Sequence, residues 1–132
     1  MTDLLGGHIK LMFDGLPSAL GALQGRQVKG IAVSSIAREP AAAEIPAMSE
    51  TLPQFEVLTW FALVGPRGLD PAIVDRLNGT MTEFARSETV RKRFAELGST
   101  PKSSTPKELA AHIDSELARW AKLIQRLGIS IE

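Results

Sequence analysis

The sequence predicts an α/β fold: a small mixed sheet of about three strands followed by three amphipathic C-terminal helices. Three observations predict it. The first half carries short runs rich in β-branched and large apolar residues, each stopped by glycine, proline or aspartate. Two of those runs flank a short helical pattern, which is the order of a βαβ unit. The second half switches to apolar residues three and four apart, the period of helices with one buried face.

Taken in order, Thr2 to Leu5 reads as a helical turn closed by Gly6 and Gly7, which tolerate a left-handed backbone. Residues 8–13, His-Ile-Lys-Leu-Met-Phe, alternate and then turn apolar, a strand pattern ended by Asp14-Gly15. Leu16, Ala19, Leu20 and Leu23 follow helical spacing behind Pro17, and Gly25 closes that helix. Residues 28–34 are a second β-rich run. Pro40, Pro46 and Pro53 then interrupt the chain, with one helical turn expected between 47 and 52. Residues 55–64 form a long third strand candidate, stopped by Gly65-Pro66.

Helical signals fill the remainder. Asp70 is an N-cap with Pro71 at the first helical position, and Ile73, Leu77, Met81 and Phe84 make one stripe. Ser87 opens a second helix with Val90, Phe94 and Leu97 inward and Gly98 as its stop. Thr105-Pro106-Lys107-Glu108 is a capping box. Behind it Leu109, Ile113, Leu117, Trp120, Ile124 and Leu127 form a long stripe that ends at Gly128.

Composition narrows the function. Across 132 residues, 15 basic side chains balance 15 acidic ones, so no cationic surface draws nucleic acid or an anionic bilayer. Cysteine is absent, which removes thiolate catalysis, disulfides and cysteine-bound zinc. No cofactor motif stands out. Gly6-Gly7 lacks the spacing of a phosphate loop, and Ser34-Ser35 lacks the flanking glycines of a nucleophile elbow. Glu108, His112 and Glu116 share a helix face, but i,i+4 pairing on a solvated helix explains them as well as a metal does. The reading is therefore not an enzyme. Asp14 has two readings: a turn residue before glycine, or a polar group at the carboxyl end of a parallel strand, where open α/β sheets bind ligands. Trp60 is core or the wall of a cleft.

The succession "DLLGGHIKLMFDG", "ALQGRQVKGIAVSSIAREP", "IPAMSETLPQFEVLTWFALVGPRG", "DPAIVDRLNGTMTEFARSETVRKRFAELGSTP" and "TPKELAAHIDSELARWAKLIQRLGI" resembles the substrate-binding proteins of tripartite tricarboxylate transporters, the Bug-type family. The similarity runs over residues 3–129 and corresponds to the C-terminal half of such a protein. Ala47 stands where the family usually has threonine, and Leu69-Asp70 replaces a threonine-proline turn. The resemblance implies a partial type II periplasmic-binding-protein fold of two α/β lobes. Residues 1–54 correspond to the end of the second lobe with its proline-rich connection. Residues 55–132 correspond to the returning strand and the C-terminal helices on the first lobe. It implies a small carboxylated solute held between lobes and delivered to membrane permease subunits. It places Asp14, with Phe13 and Gly15, beside the ligand, and Trp60 at the hinge as a cleft wall.

The family is periplasmic. Residues 1–132 show no basic-then-apolar leader, which reads as cytoplasmic if they are the whole gene product. Half of a two-lobe fold leaves apolar strands without partners, so a homodimer or higher oligomer is expected, with the 55–64 strand exchanged between chains. A self-associating module without a small ligand is the alternative function.

Overall fold

A computed structural model describes residues 1–130. Its α-helices are α1 (Thr2–Leu5), α2 (Leu16–Gln24), α3 (Pro71–Arg86), α4 (Glu88–Glu96) and α5 (Pro106–Leu127), with 3-10 turns at Pro40–Ala42 and Met48–Glu50. Every helix that the spacing predicts is present. Two compact units divide the chain: Met1–Val64 with Ser87–Pro101, and Gly65–Arg86 with the chain from Lys102 onward.

The helix ends follow the sequence chemistry. The Asp70 carboxylate accepts from the Ala72 N–H at 2.8 Å, ahead of Pro71. At α5 the capping box is complete: Thr105 Oγ1 accepts from Glu108 N at 3.2 Å, and Glu108 Oε2 accepts from Thr105 N at 2.8 Å. The Thr105 N–H first, and then the Thr105 hydroxyl, which donates to Glu108 Oε2 at 2.9 Å, hold the Glu108 carboxyl below its usual range. Gly128 closes α5 in the left-handed region at φ 64°. At α1 the left-handed residue is Gly7, φ 74°, while Gly6 stays right-handed.

The first unit has a small core of Leu20 and Ala22 from α2 with Ala42, Ile45 and Ala47 from the proline-rich loop. Here α4 packs on the Pro40–Ala42 turn. Gly30 is required by this packing, since a Cβ there would collide with the Ile45 side chain and press on Leu23. Gly98, at φ 68° after α4, lies against Leu16 and Leu20.

The expected three-stranded sheet is where the structure departs from the sequence reading. Among the described residues no strand forms over 8–13, 28–34 or 55–64. One isolated parallel bridge joins Val33 to Ala47, through Val33 N to Pro46 O and Met48 N to Val33 O, both 2.9 Å. The Val57 N–H reaches Ser34 O at 2.9 Å. The physical reason is that a strand is defined by its neighbour. A β-rich run with no adjacent run in register stays extended without a ladder, whatever its propensity.

In the second unit the helical stripes fall on unexpected faces. Along α3 the more covered positions are Val74, Asn78, Thr82 and Ala85, whereas Ile73, Leu77, Met81 and Phe84, the predicted inward stripe, are each exposed. On α5 the predicted stripe splits. Leu109, Ile113 and Trp120 are partly covered, and Leu117, Ile124 and Leu127 are exposed. Asn78 Nδ2 ties α3 to the chain before α5 by donating to Ser104 O at 2.7 Å.

Candidate functional site

The Phe13–Asp14–Gly15 turn links an extended segment to α2. Asp14 Oδ1 accepts from the Gly15 N–H and from Ser18 Oγ, both at 2.8 Å. Ser18 Oγ also lies 2.8 Å from Gly15 O. This small ring orders the turn, because Gly15, at φ −68° and ψ 136°, is the N-cap of α2 and has no side chain of its own to cap with. Asp14 therefore serves the turn-forming role that its chemistry allows. Its carboxylate and the Phe13 ring, 79 % exposed, both face solvent. Ser18 was not singled out from the sequence. The legible signal was the i,i+4 spacing of Asp14 and Ser18 across a predicted helix start.

Trp60 lies on the extended 55–64 segment and is exposed, so among the described residues it is not a core side chain. Trp120 sits in a polar cluster on α5. Its indole Nε1 donates to Glu116 Oε2 at 3.0 Å, and the Arg119 guanidinium stands 5.4 Å from the ring centroid. The indole donation is the main cause that keeps the Glu116 carboxyl below its ordinary range. Glu108 and Glu116 are thus engaged by Thr105 and Trp120, and the described residues hold no group of three or more His, Asp or Glu placed for a metal.

A second polar feature organises the loop between the bridge residues. The Arg38 guanidinium forms a two-pronged pair with Glu50, Nε to Oε1 at 2.7 Å and Nη2 to Oε2 at 2.8 Å. Glu50 Oε1 also accepts from the Ala47 N–H at 2.9 Å. Alanine has no side-chain oxygen, so this is half of a capping box, with the returning half absent. The hydrogen bond from Arg38, then that from Ala47, pull the Glu50 carboxyl down to about 2. Ser49 Oγ donates to Ile36 O at 2.7 Å and Ser35 Oγ to Ala37 O at 2.8 Å, so the 33–50 loop is closed by its own side chains.

The sequence matches the tripartite tricarboxylate transporter family receptor profile, TctC, over residues 1–129. The chain belongs to this family. Family members are substrate-binding receptors of a transporter, not enzymes. Among relatives of this TctC chain is the protein BugT of Bordetella pertussis, 31 % identical over all of this chain and 41 % of BugT. A Pseudomonas protein from the tcbD-tcbE intergenic region is 32 % identical over 94 % of this chain and 38 % of that protein. One from the clcB-clcD intergenic region of Pseudomonas knackmussii is 32 % identical over 93 % of this chain and 74 % of its own length. The solved structure of R. palustris Rpa4515 with adipate superposes with a TM-score of 0.87 at 31 % identity, covering 98 % of this TctC chain and 44 % of that one. Residues 1–132 thus span about two-fifths of BugT and of the adipate-bound protein.

Proposed function

We propose that this chain forms part of a periplasmic solute receptor that holds a small dicarboxylate between two lobes and hands it to membrane permease subunits. The supporting observation is the likeness, at a TM-score of 0.87, to a protein solved with adipate. By that reading residues 1–54 go with one lobe and residues 55–132 with the other, a division that cuts across the compact unit in which α4 packs on the Pro40–Ala42 turn, and Trp60 stands on a wall of the cleft. The turn at Phe13, Asp14 and Gly15 borders the solute.

A carboxylate does not attract a dicarboxylate, so charge is not what Asp14 contributes. Its part is to fix the turn through Gly15 and Ser18, leaving Phe13 as an apolar wall for the methylene chain. Asp14→Asn keeps an acceptor for both donors and removes the repulsion. Asp14→Ala removes the turn's anchor.

The test replaces the matching part of the R. palustris protein by residues 1–129 of this chain and follows melting temperature with a panel of di- and tricarboxylates and amino acids. A competent cleft stabilises by RT ln(1 + [L]/Kd), about 2.7 kcal/mol at a hundredfold excess over Kd. Adipate or a homologous diacid is expected to raise the melting temperature. In that chimera Asp14→Asn is expected to bind at least as tightly as the parent, and Asp14→Ala about tenfold or more weaker. A folded chimera that responds to no acid removes the receptor reading.

A further inference from the structure

Charges separate along α5. Up to Glu116 the helix carries Lys107, Glu108, Asp114 and Glu116, whereas from Leu117 to Ser130 the only charged side chains are Arg119, Lys122 and Arg126. These three recur at i, i+3 and i+7, so they share one face over roughly 10 Å of helix. All three are exposed, and with Leu123 they line an open depression of about 290 Å³. At about 100° per residue, this face lies roughly 150° round the helix from Leu117, Ile124 and Leu127. Whatever covers that apolar stripe leaves the cations in solvent.

The helix dipole accounts for one of them. Its effect is confined to the last turn, where Arg126 is the basic residue. Lys122 and Arg119 stand one and two turns earlier. Arg119 is held in place: its Nη1 donates to Glu116 Oε1 at 3.5 Å, its guanidinium stands 5.4 Å from the Trp120 ring centroid, and Trp120 Nε1 fixes the other oxygen of Glu116 at 3.0 Å. Lys122 and Arg126 form no ion pair among the described residues.

We infer that this face of α5 is a docking surface for an acidic polypeptide segment that presents carboxylates at helical spacing. Charge complementarity selects that occupant, because a partner row of carboxylates can meet the anchored arginine and both unpaired cations in one register. A small anion fits poorly, since a depression built on one helix leaves most of it in water. A bilayer also fits poorly: three cations attract anionic headgroups weakly, and Leu123 is the one apolar side chain lining the depression. A second copy of α5 has little to offer, as its Glu108 and Glu116 are engaged by Thr105 and Trp120. The argument uses α5 alone and goes beyond the receptor reading, so it stands whether or not the chain binds a solute.

The experiment titrates the 132-residue chain by calorimetry with a helical alanine-based peptide bearing glutamates three and four residues apart on one face. The expected result is one-to-one binding that weakens as salt is raised. Lys122→Gln with Arg126→Gln is expected to weaken it about fivefold or more, since each exposed contact contributes modestly. Arg91→Gln with Lys92→Gln, the same charge change on exposed positions of α4, is expected to leave it unchanged. Circular dichroism checks that both variants keep the parent's helicity. No binding, equal weakening by the two double variants, or tighter binding to phosphatidylglycerol vesicles than to the peptide would each overturn the inference. So would self-association of the chain that the α5 variant abolishes.

Discussion

The loop at 33–50 and the segment at 55–64 are neighbours in sequence and opposite in physics. The loop carries two prolines, Pro40 and Pro46, in irregular backbone, yet it closes on itself: a parallel bridge at Val33 and Ala47, a two-pronged Arg38–Glu50 pair, and Ser35 and Ser49 each bound to a nearby carbonyl. Beneath it Ala42, Ile45 and Ala47 are buried. The segment has the stronger sequence signature, six β-branched or aromatic residues in ten, and beyond Val57 it forms no ladder among the described residues. A loop is stable where its polar groups find partners within reach of their own short stretch. A strand is stable when another part of a chain comes to it.

Substitutions should respect this contrast. The largest loss is expected from Ile45→Ala, because the side chain is 6 % exposed and its removal leaves a cavity: about 2–4 kcal/mol by denaturant unfolding. Gly30→Ala should follow at about 1–3 kcal/mol, since the new methyl displaces Ile45 from the same core. Next comes acid. Glu50 is held down to about 2 from an ordinary value of 4.5, so the stability it contributes is complete above pH 4.5 and is lost as pH falls towards 2. Glu50→Gln should flatten that part of a melting-temperature profile against pH, with the change small because both partners are solvent-exposed. The smallest effect belongs to Phe61→Ser, which should move the stability of the chain alone by less than about 0.5 kcal/mol despite deleting a ring. A cost of several kcal/mol there would mean that the segment is already covered.

Helices were legible in the sequence because their signals are local. Asp70 before Pro71, the Thr105–Glu108 box and Gly128 each act within one turn, and the structure places each where the spacing put it. Which face of a helix is covered is not local. Ile73, Leu77, Met81 and Phe84 do form one stripe, but the covered side of α3 is the adjoining row through Val74, Asn78, Thr82 and Ala85. The predicted strands form no ladder among the described residues for the same reason, as propensity marks a run fit for a sheet and cannot supply its neighbour. At the candidate site, Asp14-Gly15 was readable as a turn; the ring through Ser18 needed coordinates. The Arg38–Glu50 pair, twelve residues apart, left no periodic trace in the sequence.

Amide hydrogen exchange on the 132-residue chain measures the contrast at single residues. Protection is predicted for the Val33, Met48 and Val57 amides, whose bonds hold the loop and its exit, and exchange near free-chain rates across residues 61–64. Slow exchange throughout 61–64 in a chain that remains monomeric would contradict it.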